Sequence, residues 1–174
     1  NYPNHKIFAF EPDMPILEIL RENVETFKLK NVEVIGKAVW DKEEVLEFYT
    51  DHGMGGRVNT TYEDQEPVRI QTVRLHDYLT PDVDFLKIDI EGAEDTVLKD
   101  CKDKLKDLTA LFFEYHNDVL KPQTLHELLT IVKDAGFHYY VKESGVRNSP
   151  FTDTQLICET FDMAINIFGY RNVR

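Results

Sequence analysis

Two short acidic segments of the sequence carry side chains able to remove a proton from a substrate. Asp89 and Glu91 lie two residues apart, and Glu114 and His116 repeat that spacing. Residues two apart share one face of a strand, so His116 lies beside Glu114 if its strand continues that far. An imidazole with a near-neutral pKa can then take the proton of an acceptor hydroxyl. The alternative is a surface histidine at the start of a loop, and both interpretations stay open here.

The same carboxylates also offer ligands for a metal ion. Asp89 and Glu114 present oxygen atoms of the kind that magnesium prefers. A structural or hydrogen-bonding role needs no ion, and we favour that role over a metal site. Acids in the first turn of a helix interact well with its positive end, which by itself explains Glu94 and Asp95.

Glu11 is a third candidate, because it ends an apolar run and precedes Pro12 and Asp13. A carboxylate in this position offers paired acceptors for the two hydroxyls of a nucleoside ribose. The alternative is an acid that only favours the dipole of the helix that follows.

Apolar strands alternate with amphipathic helices along the chain, and these elements must position the candidates. We predict strands at 6–11, 32–39, 45–49, 68–73, 84–89, 110–114, 137–141 and 163–168. Three helical stripes are predicted to face inward, formed by Leu17, Leu20, Val24 and Phe27; by Val97, Leu98, Cys101 and Leu105; and by Leu125, Leu128, Leu129 and Val132.

This alternation predicts an α/β fold in a single domain over residues 1–174. We expect a mostly parallel sheet with helices on both faces and the last strands at an antiparallel edge. Ligands of such sheets bind beyond the carboxyl ends of the strands, where the candidate acids lie.

Composition excludes several classes of partner. The 32 acidic and 20 basic residues give a net charge of -12, and no basic patch interrupts it, so nucleic acid is not expected. The 2 cysteines indicate neither a disulfide framework nor a zinc site. Because no run is apolar and long enough to cross a bilayer and no signal peptide is evident, we expect a soluble, cytoplasmic protein.

Two stretches, 8–12 and 85–94, closely resemble the most recognisable segments of FkbM-family methyltransferases. Residues 37–41 are similar to the family's third-strand exit, and residues 113–116 to its fifth. The resemblance runs over essentially the whole chain.

This resemblance implies a Rossmann-like class I methyltransferase fold with S-adenosylmethionine as the methyl donor. It implies a hydroxyl acceptor on a sugar, a glycolipid or a secondary metabolite. The resemblance also implies that Glu11 holds the ribose and that the backbone at Lys37, Ala38 and Val39 flanks the adenine. Asp89 lies where the cofactor meets the acceptor, and it is assigned to both the cofactor site and the catalytic group.

The chain departs from the family pattern before Glu11. Family members carry there another strand and a glycine-rich turn, whereas this chain opens at Asn1, so we expect the first strand and its loop to be missing. An incomplete sheet invites self-association through its open edge. The cluster of Gly53, Gly55 and Gly56 does not lead into a helix, so we interpret it as a loop on the substrate side.

Two further functions compete with methyl transfer. One is a noncatalytic Rossmann-like domain that binds a nucleotide or a partner protein, supported by the departure before Glu11. The other is an NAD-dependent oxidoreductase, which shares the acid at the strand end but gives no reason for the stretch from Asp89 to Glu94.

Overall fold

A computed structural model describes residues 5–49, 57–58, 66–144, 149, 151–152, 156–157 and 160–171. The chain divides into two compact units, residues 1–74 and residues 75–174, and each unit is described by itself. The predicted glycine loop of Gly53, Gly55 and Gly56 lies outside the described residues. The single-domain interpretation stays a prediction.

The first unit begins with a strand, a helix and a parallel strand, as predicted. The elements are β1 (Ile7–Phe10), α1 (Met14–Thr26) and β2 (Val32–Ile35). The strands β1 and β2 pair in parallel over their whole lengths. Leu17 anchors α1 with only 1% of its surface exposed, whereas Phe27 is 70% exposed. The prediction that Phe27 faces inward is therefore wrong, because α1 ends one residue before it.

The predicted strand 32–39 is in fact two strands. Strand β3 (Ala38–Trp40) follows β2 after a break at Gly36 and Lys37. A Cβ at Gly36 would lie 2.7 Å from Leu17 Cδ2, so the chain needs glycine where α1 crosses it. The apolar pattern runs through this position and does not reveal the break.

A second, mixed sheet completes the first unit. Besides β3 it contains β4 (Val45–Tyr49), β5 (Arg57–Val58) and β6 (Val68–Arg74). The order of the four strands is β3-β6-β4-β5. Strand β6 is parallel to β3 and antiparallel to β4. Ala38, Phe48 and Ile70 form its buried cluster.

The described residues of the second unit form a four-stranded sheet, two α-helices and two short 3-10 helices, Leu75–Tyr78 and Leu105–Asp107. Its elements are β7 (Phe85–Ile88), α2 (Glu94–Cys101), β8 (Ala110–Asp118), α3 (Leu125–Asp134), β9 (His138–Glu143) and β10 (Phe161–Tyr170). The strand order is β7-β8-β10-β9. Strand β7 is parallel to β8, and β10 is antiparallel to both β8 and β9.

The core of the second unit follows the predicted apolar pattern. Fully buried residues come from α2, from the 3-10 helix Leu105–Asp107 that follows it, from α3 and from one face of β8. They include Val97, Leu98, Cys101, Leu105, Leu111, Phe113, Leu128 and Val132. Helices α2 and α3 contact each other and pack on β8 and β9, so both cover the same face of this sheet.

The expectation of a mostly parallel sheet needs correction, whereas that of helices on both faces stays a prediction. The fold is α/β, but its sheets are mixed. A parallel neighbour requires a long crossover, whereas an antiparallel strand can return directly. Strand β10 returns without a described helix, so the expected antiparallel edge is confirmed.

No helix among the described residues is long and apolar enough to cross a membrane. Strands β1 and β7 belong to separate sheets. The missing strand and the proposed self-association stay predictions.

Candidate functional site

A tight turn joins β7 to α2 and carries two of the predicted site residues. Asp89 follows β7, and Glu91 and Gly92 adopt left-handed backbone angles, with φ of 55° and 92°. Such an angle costs a residue with a side chain about 1 to 2 kcal/mol. A Cβ at Gly92 would lie 2.8 Å from Phe161 Cζ, so glycine is needed there for space as well. The turn therefore aims the Glu91 side chain at a cost in backbone energy.

Strand β8 supplies the other two predicted residues. It runs through Asp118 with alternating burial, which puts Glu114 and His116 on the face opposite Phe113. The prediction that His116 shares a face with Glu114 is confirmed. Ile88, the last residue of β7, is in register with Phe113, so Glu114 and His116 lie on the part of β8 that continues beyond the end of β7. One ligand atom each from Asp89, Glu114 and His116 lies within 4.8 Å of the others.

The His116 ring is held between acids and an aromatic ring. Its Nδ1 lies 3.1 Å from Glu94 Oε1, and its Nε2 lies 3.6 Å from Glu91 Oε2. The side chain is only 8% exposed, and the Phe161 ring lies 5.0 Å away between centroids. His116 is therefore a fixed, nearly buried group rather than a mobile surface histidine.

The acids around His116 control its protonation. Burial, the largest influence, lowers the pKa of His116. The hydrogen bond with Glu94 and the charges of Glu94, Glu91 and Glu114 act in the opposite direction, and the net pKa lies above the ordinary value of 6.5. The imidazole therefore stays protonated to a higher pH than that of an ordinary histidine.

Glu94 contacts His116, although the sequence analysis assigned it only to the helix dipole. Its side chain is 2% exposed, which is far more buried than a carboxylate that only favours a helix dipole. A signal was present, because a glycine turn leaves backbone N–H groups unpaired and an acid two residues later can accept from them.

Asp89 and Glu114 differ in their surroundings. Asp89 Oδ2 lies 3.1 Å from Lys87 Nζ, so a neighbouring cation already pairs with this carboxylate. The Glu114 carboxylate makes no hydrogen bond or ion pair with the described residues of its unit. It is therefore available to a ligand.

The spacing of Asp89, Glu114 and His116 would admit a cation. The donors match magnesium poorly, because magnesium prefers oxygen ligands in octahedral geometry and one donor here is an imidazole. Lys87 also competes for Asp89. We therefore assign no chemical step to a metal.

The first unit holds the residues predicted to bind the cofactor. The Glu11 backbone N–H donates to Ile35 at 3.0 Å, which sets Glu11 beside the exit of β2 toward Lys37, Ala38 and Val39. The structure thus places Glu11 and the start of this segment at the carboxyl end of the β1–β2 pair.

The Glu11 side chain is partly engaged by its own turn. Its Oε1 accepts a hydrogen bond from the Asp13 N–H at 2.9 Å. Burial, the largest influence, raises the pKa of Glu11 above the ordinary value of 4.5; the Asp13 N–H lowers it, and the Asp13 charge raises it. Among the described residues of the unit, Oε2 has no hydrogen-bond partner, so it can accept a ribose hydroxyl.

A shallow groove of about 480 Å³ lies between α2 and α3. It is lined by Lys99, Lys102, His126, Glu127, Thr130 and Ile131. Lys99 already pairs with Glu127 at 2.7 Å. None of the predicted site residues lines this groove, so it offers no support for the proposed chemistry.

One solved structure shares the fold of this chain at low sequence identity. The crystal structure of methyltransferase FkbM from Methylobacillus flagellatus KT matches with a TM-score of 0.56 and 15% identity, over 95% of this chain and 36% of that one. Precorrin-6y C5,15-methyltransferase from Geobacter metallireducens GS-15 matches with a TM-score of 0.48 and 16% identity, over 97% and 69% of the two chains. This chain thus spans about a third of the first of these proteins.

No curated protein matches the sequence significantly. The model of the methyltransferase FkbM domain matches residues 3–139, which is most of the chain. The segments that resemble the family at 8–12 and 85–94 both lie within that match. The protein therefore belongs to the FkbM methyltransferase family.

Proposed function

We propose that the protein transfers the methyl group of S-adenosylmethionine to a hydroxyl of a small-molecule or glycan acceptor. Sugars, glycolipids and secondary metabolites are the acceptor classes that fit. Family membership supports methyl transfer, and the group Asp89, Glu91, Glu114 and His116 supports a hydroxyl acceptor. The observation that carries the proposal is a fixed imidazole among carboxylates at the carboxyl ends of β7 and β8.

His116 is the general base in this proposal. The acceptor oxygen attacks the sulfonium methyl in line, so the new O–CH3 bond forms as the S–CH3 bond breaks. The hydroxyl proton passes to His116 Nε2, and the bonding pair leaves with sulfur to give S-adenosylhomocysteine. A positioned base of this kind contributes about 10² to 10⁴ in rate.

The acids have two roles beside this base. Glu114 accepts a hydrogen bond from the acceptor, because its carboxylate is not engaged by the described residues of its unit. Glu91 and Asp89 add negative charge that favours the imidazolium formed during transfer. Glu11, with the backbone at Lys37, Ala38 and Val39, holds the nucleoside of the cofactor.

Thermal unfolding with and without S-adenosylmethionine tests whether the protein binds this donor. A ligand that binds only the folded state at 100 times its Kd stabilises it by about 2.7 kcal/mol, so the melting temperature should rise. S-adenosylhomocysteine should act in the same way, and NAD should not. A rise with NAD alone would favour an oxidoreductase and contradict the proposal.

A further inference from the structure

The Glu94 carboxylate accepts hydrogen bonds from both sides of the turn after β7. Its Oε1 lies 3.1 Å from the Ile90 N–H, and its two oxygens lie 3.2 and 3.1 Å from the Gly92 N–H. A buried carboxylate is tolerated when its lone pairs are satisfied. The N–H groups of Ile90 and Gly92 satisfy lone pairs of the Glu94 carboxylate, and these hydrogen bonds also fix the turn that carries Glu91.

The third donor to Glu94 is the His116 ring, whose Nδ1 lies 3.1 Å from Oε1. An ionised carboxylate only accepts hydrogen bonds, so Nδ1 must carry the hydrogen in this contact. In a neutral imidazole the other nitrogen is then the acceptor. That nitrogen, Nε2, is the one that faces Glu91.

We propose that Glu94 is a positioning residue for methyl transfer: it holds His116 as the Nδ1–H tautomer, so that Nε2 receives the acceptor's hydroxyl proton. The inference rests on the proposed function and names the device that makes His116 a base. Glu94 itself takes no proton. It stabilises the imidazolium after the proton has moved, as an orienting carboxylate does in other histidine-based sites.

The charges around His116 make the inference measurable. Glu94 from α2, Glu91 and Asp89 from the turn, and Glu114 from β8 all lie near the ring. Glu94→Gln removes one of these charges and leaves the burial in place. The pKa of His116 should therefore fall, because burial lowers it and the Glu94 contact raises it.

Nuclear magnetic resonance of the ¹⁵N-labelled imidazole in the full chain tests the tautomer directly. The wild-type spectrum at high pH should show hydrogen on Nδ1 and an unprotonated Nε2. In Glu94→Gln the titration midpoint of His116 should move to lower pH. Asp95→Asn is the matched control, because Asp95 is the next residue of α2 but contacts Thr96 and Lys99 instead of His116.

Turnover provides the second readout, with S-adenosylmethionine and a panel of sugar, glycolipid and polyol acceptors. Glu94→Gln should lower kcat tenfold or more and shift the pH at which activity rises, while the Kd for S-adenosylmethionine stays unchanged. Asp95→Asn should change neither.

Hydrogen on Nε2 in the wild type, which needs no variant to fold, would overturn the inference. So would an unchanged His116 midpoint in folded Glu94→Gln. A correct tautomer together with full activity in His116→Ala would instead overturn the proposed function.

Discussion

Replacing Gly92 by alanine should destabilise the protein through two separable effects. The left-handed φ of 92° costs a residue with a Cβ about 1 to 2 kcal/mol. The new Cβ would also lie 2.8 Å from Phe161 Cζ, in a ring that is only 3% exposed, and overpacking of this kind costs about 1 to 3 kcal/mol. The lower entropy of unfolded alanine offsets less than about 1 kcal/mol. The expected loss of stability is therefore about 1 to 5 kcal/mol.

Gly136→Ala is the matched control for the cost of the left-handed backbone angle. Gly136 has a similar φ of 87°, but its added Cβ meets the far end of the Arg171 side chain at 2.8 Å. The Arg171 guanidinium donates hydrogen bonds to four backbone carbonyls, but the Nη1 atom that meets the new Cβ makes none of these four bonds. A small displacement of Nη1 can therefore relieve the contact, and this variant should lose less stability than Gly92→Ala.

Urea unfolding of both variants, and of Gly92→Ala combined with Phe161→Leu, measures the two effects. A double-mutant cycle should show favourable coupling between positions 92 and 161, because the smaller side chain makes room for the methyl group. Equal losses at positions 92 and 136, with no coupling to Phe161, would refute the reasoning from the ring contact.

Three further predictions concern the cofactor, the imidazole and the metal. Glu11→Gln should weaken S-adenosylmethionine binding by about 1.5 to 3 kcal/mol, tenfold or more in Kd by calorimetry, and an unchanged Kd would remove Glu11 from the site. Because folding raises the pKa of His116, its imidazolium stabilises the fold fully below pH about 6.5 and loses that effect as pH rises through the folded pKa. The stability difference between wild type and His116→Gln should thus shrink from pH 5.5 to pH 9, and a constant difference would contradict the raised pKa. A chelator should leave methyl transfer intact, whereas loss of activity that magnesium restores, with Asp89→Asn more damaging than His116→Ala, would indicate a metal mechanism.

Much of the fold could be predicted because apolar periodicity is local. The strand at 110–114 and the buried stripes of α2 and α3 are visible in the residues themselves, and the structure confirms them, although β8 runs on to Asp118. The break at Gly36 could not be seen, because it depends on Leu17 of α1 crossing that glycine. The mixed pairing of β6 was missed for a similar reason: strand spacing does not say which neighbour a strand chooses.

The site was predictable in part. Spacing by two correctly placed Glu114 and His116 on one face, and the strand ends correctly brought Asp89 beside them. Glu94 was assigned to the helix dipole because its burial and its contact with His116 arise from the turn geometry at Glu91 and Gly92. Gly92 is the signal that the sequence offers for this turn, whereas the left-handed angle at Glu91 is set by tertiary contacts and leaves little trace in sequence.

Methyl transfer by wild type and His116→Ala tests the central claim most directly. Both proteins should be incubated with S-adenosylmethionine carrying a radiolabelled methyl group and the same acceptor panel, after calorimetry has shown equal cofactor binding. We predict label on an acceptor hydroxyl with the wild type and a rate lower by about a hundredfold or more with His116→Ala. Equal rates in the two proteins would contradict the assignment of His116 as the base.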